Sequence, residues 1–187
     1  MRARIKTPAL VRVVDDGGER VRSDELATEE PLEIRLVAGG QRRTVAITMR
    51  TPGADFELAA GFLFAEGVIA GPDHIRRISY CTDPDVDTAQ QYNIVNVELR
   101  RVDLPDLRQL ERHFSTTSAC GVCGKATLEA LGMRGCAPAP SGPEVDAEIV
   151  HGLPAALRAA QRVFSSTGGL HAAGLFTAEG ELLGLRE

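Results

Sequence analysis

Pro31-Leu32-Glu33-Ile34-Arg35-Leu36-Val37 alternates apolar and charged side chains, the period-two signature of a strand with one buried face. Ala38-Gly39-Gly40-Gln41 then supplies a hairpin turn, and Thr44 to Met49 the return strand. Upstream, Ala9 to Val14 reads as an edge strand, with a turn at Asp15-Asp16-Gly17-Gly18 and a loose polar stretch after it. Downstream, Thr51-Pro52-Gly53-Ala54-Asp55 reads as a turn and helix start, with Asp55 as a candidate cap. Phe56 to Ala65 is apolar on most sides and predicts a buried helix ending at Gly67. Ile75 to Cys81 and Asn93 to Leu99 predict two more strands, joined by an acidic loop from Asp83 to Gln90.

The second half is less regular. Pro105 to Phe114 has helical spacing, and Ala126-Thr127-Leu128-Glu129-Ala130-Leu131 combines good helix formers with a stop at Gly132. Cys136-Ala137-Pro138-Ala139-Pro140-Ser141-Gly142-Pro143 is a stiff connector. Leu153 to Ser165 predicts a helix with Leu153, Leu157, Ala160 and Phe164 on one face. Gly168-Gly169 breaks it, and His171 to Phe176 and Leu182 to Leu185 predict a hairpin around Ala178-Glu179-Gly180-Glu181. Strands mixed with a few helices, and no internal repeat, place the chain in the α/β (α+β) class. A last strand that stops at Leu185-Arg186-Glu187 with no following partner reads as a truncated chain.

Composition narrows the function. With 187 residues the chain can bury one sizeable core, or two small ones. Its 43% hydrophobic and 25% charged content is ordinary for a globular protein. A formal charge of −5 argues against a nucleic-acid partner, which needs a concentrated basic face. Met1-Arg2-Ala3-Arg4-Ile5-Lys6 has no apolar run behind it, and the apolar stretch from Leu58 to Ala70 is too short to span a bilayer and contains Glu66. No membrane partner and a cytoplasmic location follow as expectations, and there cysteines are reduced.

That compartment gives Cys120-Gly121-Val122-Cys123 its weight. The two thiols follow Thr116-Thr117-Ser118-Ala119, precede Gly124-Lys125, and fall at or just before a predicted helix N-terminus. Unpaired backbone N–H groups and the Lys125 charge there favour a thiolate. Three readings stand. Half of a zinc site needs two further ligands, and Cys81, Cys136, His113 and His171 are the scattered candidates. A thioredoxin-like dithiol needs an apolar strand before the motif, and hydroxyl residues stand there instead. Nucleophilic handling of sulfane sulfur needs a thiolate on an accessible segment, which the Ser/Thr/Gly setting supplies. A second candidate is Ser166-Thr167-Gly168-Gly169-Leu170-His171: glycine N–H groups suit an anion and His171 can move a proton, although a helix cap explains the glycines more simply. Lone Cys81 and Cys136 read as small buried hydrophobes, and His74, His113 and His151 as surface or packing residues.

Thr117-Ser118-Ala119-Cys120-Gly121-Val122-Cys123-Gly124-Lys125 closely resembles the signature of the FdhD/NarQ family of formate dehydrogenase accessory sulfurtransferases. Glu30-Pro31-Leu32-Glu33-Ile34, Thr51-Pro52, Glu57-Leu58-Ala59-Ala60-Gly61-Phe62-Leu63, Glu66-Gly67 and Thr167-Gly168-Gly169-Leu170-His171-Ala172-Ala173 match in order and spacing. The resemblance implies a sulfurtransferase that accepts persulfide sulfur from a cysteine desulfurase. It passes that sulfur to the molybdenum cofactor, bis-molybdopterin guanine dinucleotide, for formate dehydrogenase. By position Cys120 is the persulfide-bearing catalytic cysteine and Cys123 a second thiol that relays or resolves it. Thr167, Gly168, Gly169 and His171 are the cofactor-binding candidates.

The family fold implied is a cytidine deaminase-like α/β core with an added β-rich part. On this chain that gives residues 1–112 as the β-rich part with one buried helix, and 113–187 as an α/β part with the CxxC segment and the first portion of the core. Zinc deaminases use H-x-E followed by P-C-x-x-C. Here Ala173 stands where that Glu falls after His171, and no proline precedes Cys120, so deamination is disfavoured. The resemblance further implies a homodimer and no permanently bound metal. Members continue past the position of Glu187 into a region that helps bind the nucleotide part of the cofactor. The competing functional reading is a non-catalytic zinc- or cofactor-binding chaperone module.

Overall fold

The computed structural model describes residues 4–88, 90–107 and 141–187. The CxxC segment, the helical spacing from 108 onward, the 126–131 helix, Cys136 and the 112/113 boundary all lie outside the described residues. Within them the chain is mixed α/β and divides into two compact units. The first holds Glu30–Arg50 and the described residues from Ala54 to 107. The second holds the described residues up to Glu29, then Thr51–Gly53 and 141–187.

The first unit is a four-stranded sheet with a helix on one face. Its strands are β3 (Glu30–Ala38), β4 (Gln41–Arg50), β5 (Ile75–Tyr80) and β6 (Ile94–Leu99), in the order β4-β3-β6-β5. β3 runs antiparallel to β4 and parallel to β6, while β5 runs antiparallel to β6. The alternation in β3 does what its period demands: Leu32, Ile34, Leu36 and Ala38 are all buried on one face. Pro31 lies before the β6 ladder begins at Glu33, so its missing N–H costs no rung there. Between Ile34 and Arg35 the register shifts, which leaves Val45 as an extra residue on β4 and puts both Val45 and Ala46 in the core. Helix α1 (Asp55–Ala65) adds Ala59 and Leu63, which join Val95, Val97, Leu99 and Ile69 in one cluster. Gly67, at φ 71°, follows its end as the left-handed position requires.

The 39–40 turn is constrained twice. Ala38 pairs with Gln41, so Gly39 and Gly40 are the two turn residues, with φ of 53° and 79°. A Cβ on Gly39 would also sit 2.1 Å from the Val102 carbonyl oxygen, whereas one on Gly40 meets nothing within 4 Å.

The second unit contains a ten-residue hairpin, two helices and a short hairpin. β1 (Lys6–Asp15) pairs antiparallel with β2 (Gly18–Ala27), so the expected loose stretch after the first turn is a full strand. Its sequence shows little alternation. The ladder to β1 holds it, with ion pairs Lys6–Glu25, Arg12–Glu19 and Arg20–Asp15 across the two strands. The single helix expected over Leu153–Ser165 is two helices, α2 (Ala147–Ala160) and α3 (Arg162–Thr167), divided at Gln161, whose backbone is extended. α2 begins earlier than its apolar stripe because Asp146 caps it, accepting a hydrogen bond from the Glu148 N–H at 2.9 Å. Pro154 lies inside it. Strands β7 (Ala173–Phe176) and β8 (Leu182–Arg186) form an antiparallel hairpin. Ile149, Leu153 and Leu157 of α2 point at it: a Cβ on Gly174 would lie 2.8 Å from Leu157 Cδ1, and one on Gly180 3.0 Å from Ile149 Cγ2.

The two turn glycines separate conformation from space. Gly40→Ala, strained only in φ, is expected to cost about 1 kcal/mol. Gly39→Ala must also displace backbone at Val102, and is expected to cost at least about 2 kcal/mol in urea unfolding. Equal midpoints for the two variants would refute the close approach.

Candidate functional site

Three places in the described chain concentrate polar chemistry. The first lies where β4 ends and α1 begins. Arg50 falls on the core-facing phase of β4, and its side chain is 3% exposed, as is that of Asp55. Arg50 Nε donates to Asp55 Oδ1 at 3.0 Å and Nη2 to Oδ2 at 3.2 Å, the forked pairing a guanidinium makes with a carboxylate. Nη2 also donates to Asn93 Oδ1 at 2.9 Å and to the Tyr92 carbonyl at 3.3 Å, and Nη1 reaches Glu30 Oε2 at 3.4 Å. Tyr80 Oη donates to Asp55 Oδ2 at 3.2 Å. Burial, and then the Asp55 charge, hold the Tyr80 hydroxyl above its ordinary pKa, so it stays a donor. Its ring packs against Phe56 at 4.8 Å and edge-on against Tyr92 at 5.3 Å. Asp55 is thus the first residue of α1, committed to Arg50, and the helix has no side-chain cap. The Arg50–Asp55 pair is buried, and through its partners it ties β3, β4, α1, β5 and the start of β6 together.

The second place is the opposite face of the sheet. Glu33 and Arg35 pair along β3, with Arg35 Nε 2.7 Å from Glu33 Oε1, and Thr44 on β4 donates to the same carboxylate oxygen. The Arg35 hydrogen bond, ahead of the others, holds the Glu33 pKa below the ordinary carboxylate value. Beside them Arg42 meets Asp83 at 3.0 Å, and that contact lowers the Asp83 pKa. Cys81 is free and buried there, and the Asp83 N–H points to its sulfur at 3.5 Å. Among the described residues no group of three or more His, Cys, Asp or Glu side chains could hold a metal.

The third place carries the remaining sequence candidates. α3 ends at Thr167, and Gly168 follows with φ 72° as its left-handed cap. The Gly168 N–H donates to the Phe164 carbonyl at 2.8 Å, so it is committed within the turn. Thr167 Oγ1 donates to the Val163 carbonyl at 2.9 Å, and the Gly169 N–H lies 3.5 Å from it. Gly168, Gly169 and His171 are exposed. At the other end of α3 the Glu187 carboxylate accepts from the N–H groups of Val163 and Phe164, at 3.2 and 3.0 Å. It neutralises the donors at a helix start from 23 and 24 residues away. The structure thus brings Thr167, Gly168 and Gly169 together in one cap, with His171 two residues on. Cys120 and Cys123 lie outside the described residues.

Residues 27–187 match the FdhD/NarQ family. The chain belongs to that family. It is 50% identical over 177 residues to the sulfur carrier protein FdhD of Streptomyces avermitilis, an alignment covering 93% of this chain and 61% of the relative. With the sulfur carrier protein FdhD of Nocardia farcinica identity is 44% over 188 residues, covering 100% of this chain and 64% of that one. This family member therefore spans about three fifths of the length of such relatives. Its fold is similar to a solved structure from Desulfotalea psychrophila, described as a formate dehydrogenase accessory protein. The TM-score is 0.62 at 20% identity, over 97% of this chain and 61% of that chain. No helix among the described residues is long and apolar enough to cross a membrane.

Arg50, Tyr80 and Asn93 escaped the sequence reading, though Arg50 left a trace: a charge on the core-facing phase of β4, opposite Glu30 on β3. Asp55→Ala leaves that guanidinium buried without its carboxylate, and is expected to lower stability by about 3–5 kcal/mol. Arg50→Met with Asp55→Leu should recover a large part of it; a loss below about 1 kcal/mol for Asp55→Ala would refute the clamp. For Glu33, whose folded pKa lies below the unfolded one, the contribution is present above about pH 4.3 and is lost as pH falls through the folded value. Glu33→Gln should therefore flatten the decline in unfolding free energy on acidification below about pH 4, and an unchanged slope would count against the pairing.

Proposed function

We propose that this chain is a sulfur carrier acting in formate dehydrogenase maturation, and that Cys120 and Cys123 carry the sulfur. The supporting observation is the match to the FdhD/NarQ family, with relatives named sulfur carrier protein FdhD at up to 50% identity, in a chain that holds the two thiols in a Ser/Thr/Gly setting. The reading has one balanced chemistry. The Cys120 thiolate attacks the outer sulfur of a cysteine-desulfurase persulfide, a new S–S bond forms, and the donor cysteine leaves as thiolate. Attack by the Cys123 thiolate on the Cys120 sulfur then releases hydrosulfide to the acceptor and leaves a Cys120–Cys123 disulfide. The two electrons that reduce sulfane sulfur come from the two thiols, and two equivalents of an external thiol restore them by exchange, leaving as their own disulfide.

The acceptor in this reading is the molybdenum cofactor of formate dehydrogenase, bis-molybdopterin guanine dinucleotide, as substrate rather than as a resident group. Thr167, Gly168, Gly169 and His171 are the segment proposed to face it; the exposure of the two glycines and of His171 leaves them accessible. The cytidine deaminase-like core, the homodimer and the cytoplasmic setting belong to the same proposal, which rests for them on family resemblance.

Incubation with a cysteine desulfurase and cysteine should add one sulfur to Cys120, detected by mass spectrometry of the alkylated peptide. Cys120→Ala should abolish it, and Cys123→Ala should trap it. No added sulfur on either cysteine overturns the reading. Stoichiometric zinc retained by the pair would instead identify a non-catalytic metal- or cofactor-binding module.

A further inference from the structure

Besides the places already described, the first unit contains a cleft of about 380 Å³ lined by Val68, Ile69, Asp73, His74, Leu99, Arg100 and Arg101. It lies at the end of β6 opposite the Arg50 cluster, where Leu99 closes the strand. Its floor is apolar: Ile69 is 5% and Leu99 4% exposed, both part of the core. The rim is cationic. Among the described residues neither the Arg100 nor the Arg101 guanidinium has a carboxylate within ion-pairing reach, Asp73 of the same rim included. Other rim groups are committed: the Arg100 N–H donates to the His74 carbonyl at 3.0 Å, and His74 Nδ1 faces the Ala70 N–H at 3.5 Å. The backbone of the rim is thereby held while both guanidinium groups stay available.

Two arginines with no carboxylate partner among the described residues thus stand at the edge of an apolar floor, in a chain of formal charge −5. A volume in the range of small-molecule pockets, an apolar floor and a few convergent polar groups are what recognition of a small ligand requires. We propose that this cleft binds a small organic anion: one carboxylate or phosphate held by Arg100 and Arg101, on an apolar body seated against Val68, Ile69 and Leu99. Guanidinium forks suit both anions, and the apolar floor favours an anion that carries an apolar body. The site is independent of sulfur transfer, so its failure leaves that reading untouched.

The test is a titration of the ¹⁵N-labelled chain with benzoate and with phenyl phosphate, followed by amide shifts, with benzyl alcohol as the neutral control. Saturable shifts centred on Val68, Ile69, His74, Leu99, Arg100 and Arg101 are expected for at least one anion, the stronger one naming the head group. Arg100→Ala and Arg101→Ala, both exposed, should each weaken that binding by about tenfold or more without altering thermal unfolding. Binding of benzyl alcohol as tight as that of the anions, shifts centred elsewhere, or full binding in the double variant would each overturn the proposal.

Discussion

A guanidinium cannot be withdrawn from water unless its donors are met in place, and in this protein that requirement organises the first unit. Arg50 ends one strand and Asp55 begins a helix, with Thr51, Pro52, Gly53 and Ala54 between them. The paired charges fix where β4 stops and at what angle α1 starts. Asn93 and the Tyr92 carbonyl, brought in by the turn before β6, complete the shell, and Glu30 closes it from β3. Such a pair adds little net stability over an apolar replacement, because desolvation offsets most of the attraction. Its effect is on specificity: any register that moves Arg50 off the core phase strands a charge.

The two units are held by different forces. Every member of the apolar core cluster among the described residues belongs to the first unit. Directed polar bonds and local caps carry much of the second: the β1–β2 ladder, Asp146 at the start of α2, and Glu187 at the start of α3. Elements secured in this way open more readily than a buried sheet. The 167–171 segment lies on that softer frame, within the unit that carries α3 and its cap.

The legible parts of this fold were those with a strict period. β3 is written in alternation, β4 follows from the glycine turn that returns the chain beside it, β6 is apolar at nearly every second position, and α1 is a dense apolar run. β2 was not legible, because a hairpin strand held by cross-strand charge pairs needs no alternation. The α2–α3 break at Gln161 is not legible for a related reason: the apolar stripe runs through it, and the Glu187 carboxylate that caps the second helix is distant in sequence. The polar centre at Arg50 is long-range in the same sense, assembled from Glu30, Arg50, Asp55, Tyr80, Tyr92 and Asn93. By contrast, the family was legible from short motifs. Their residues lie close in sequence and need no tertiary knowledge to recognise.

The Tyr80–Tyr92 contact also has an optical consequence. The chain contains no tryptophan and two tyrosines, and both sit in this one cluster, 5.3 Å apart. Tyrosine emission from the whole protein therefore arises at a single place, with no indole to drain it. One of the two hydroxyls is bonded to the carboxylate that pairs with Arg50. The protein carries its own fluorescent gauge of whether the sheet and its helix remain joined, and no label need be introduced to read it.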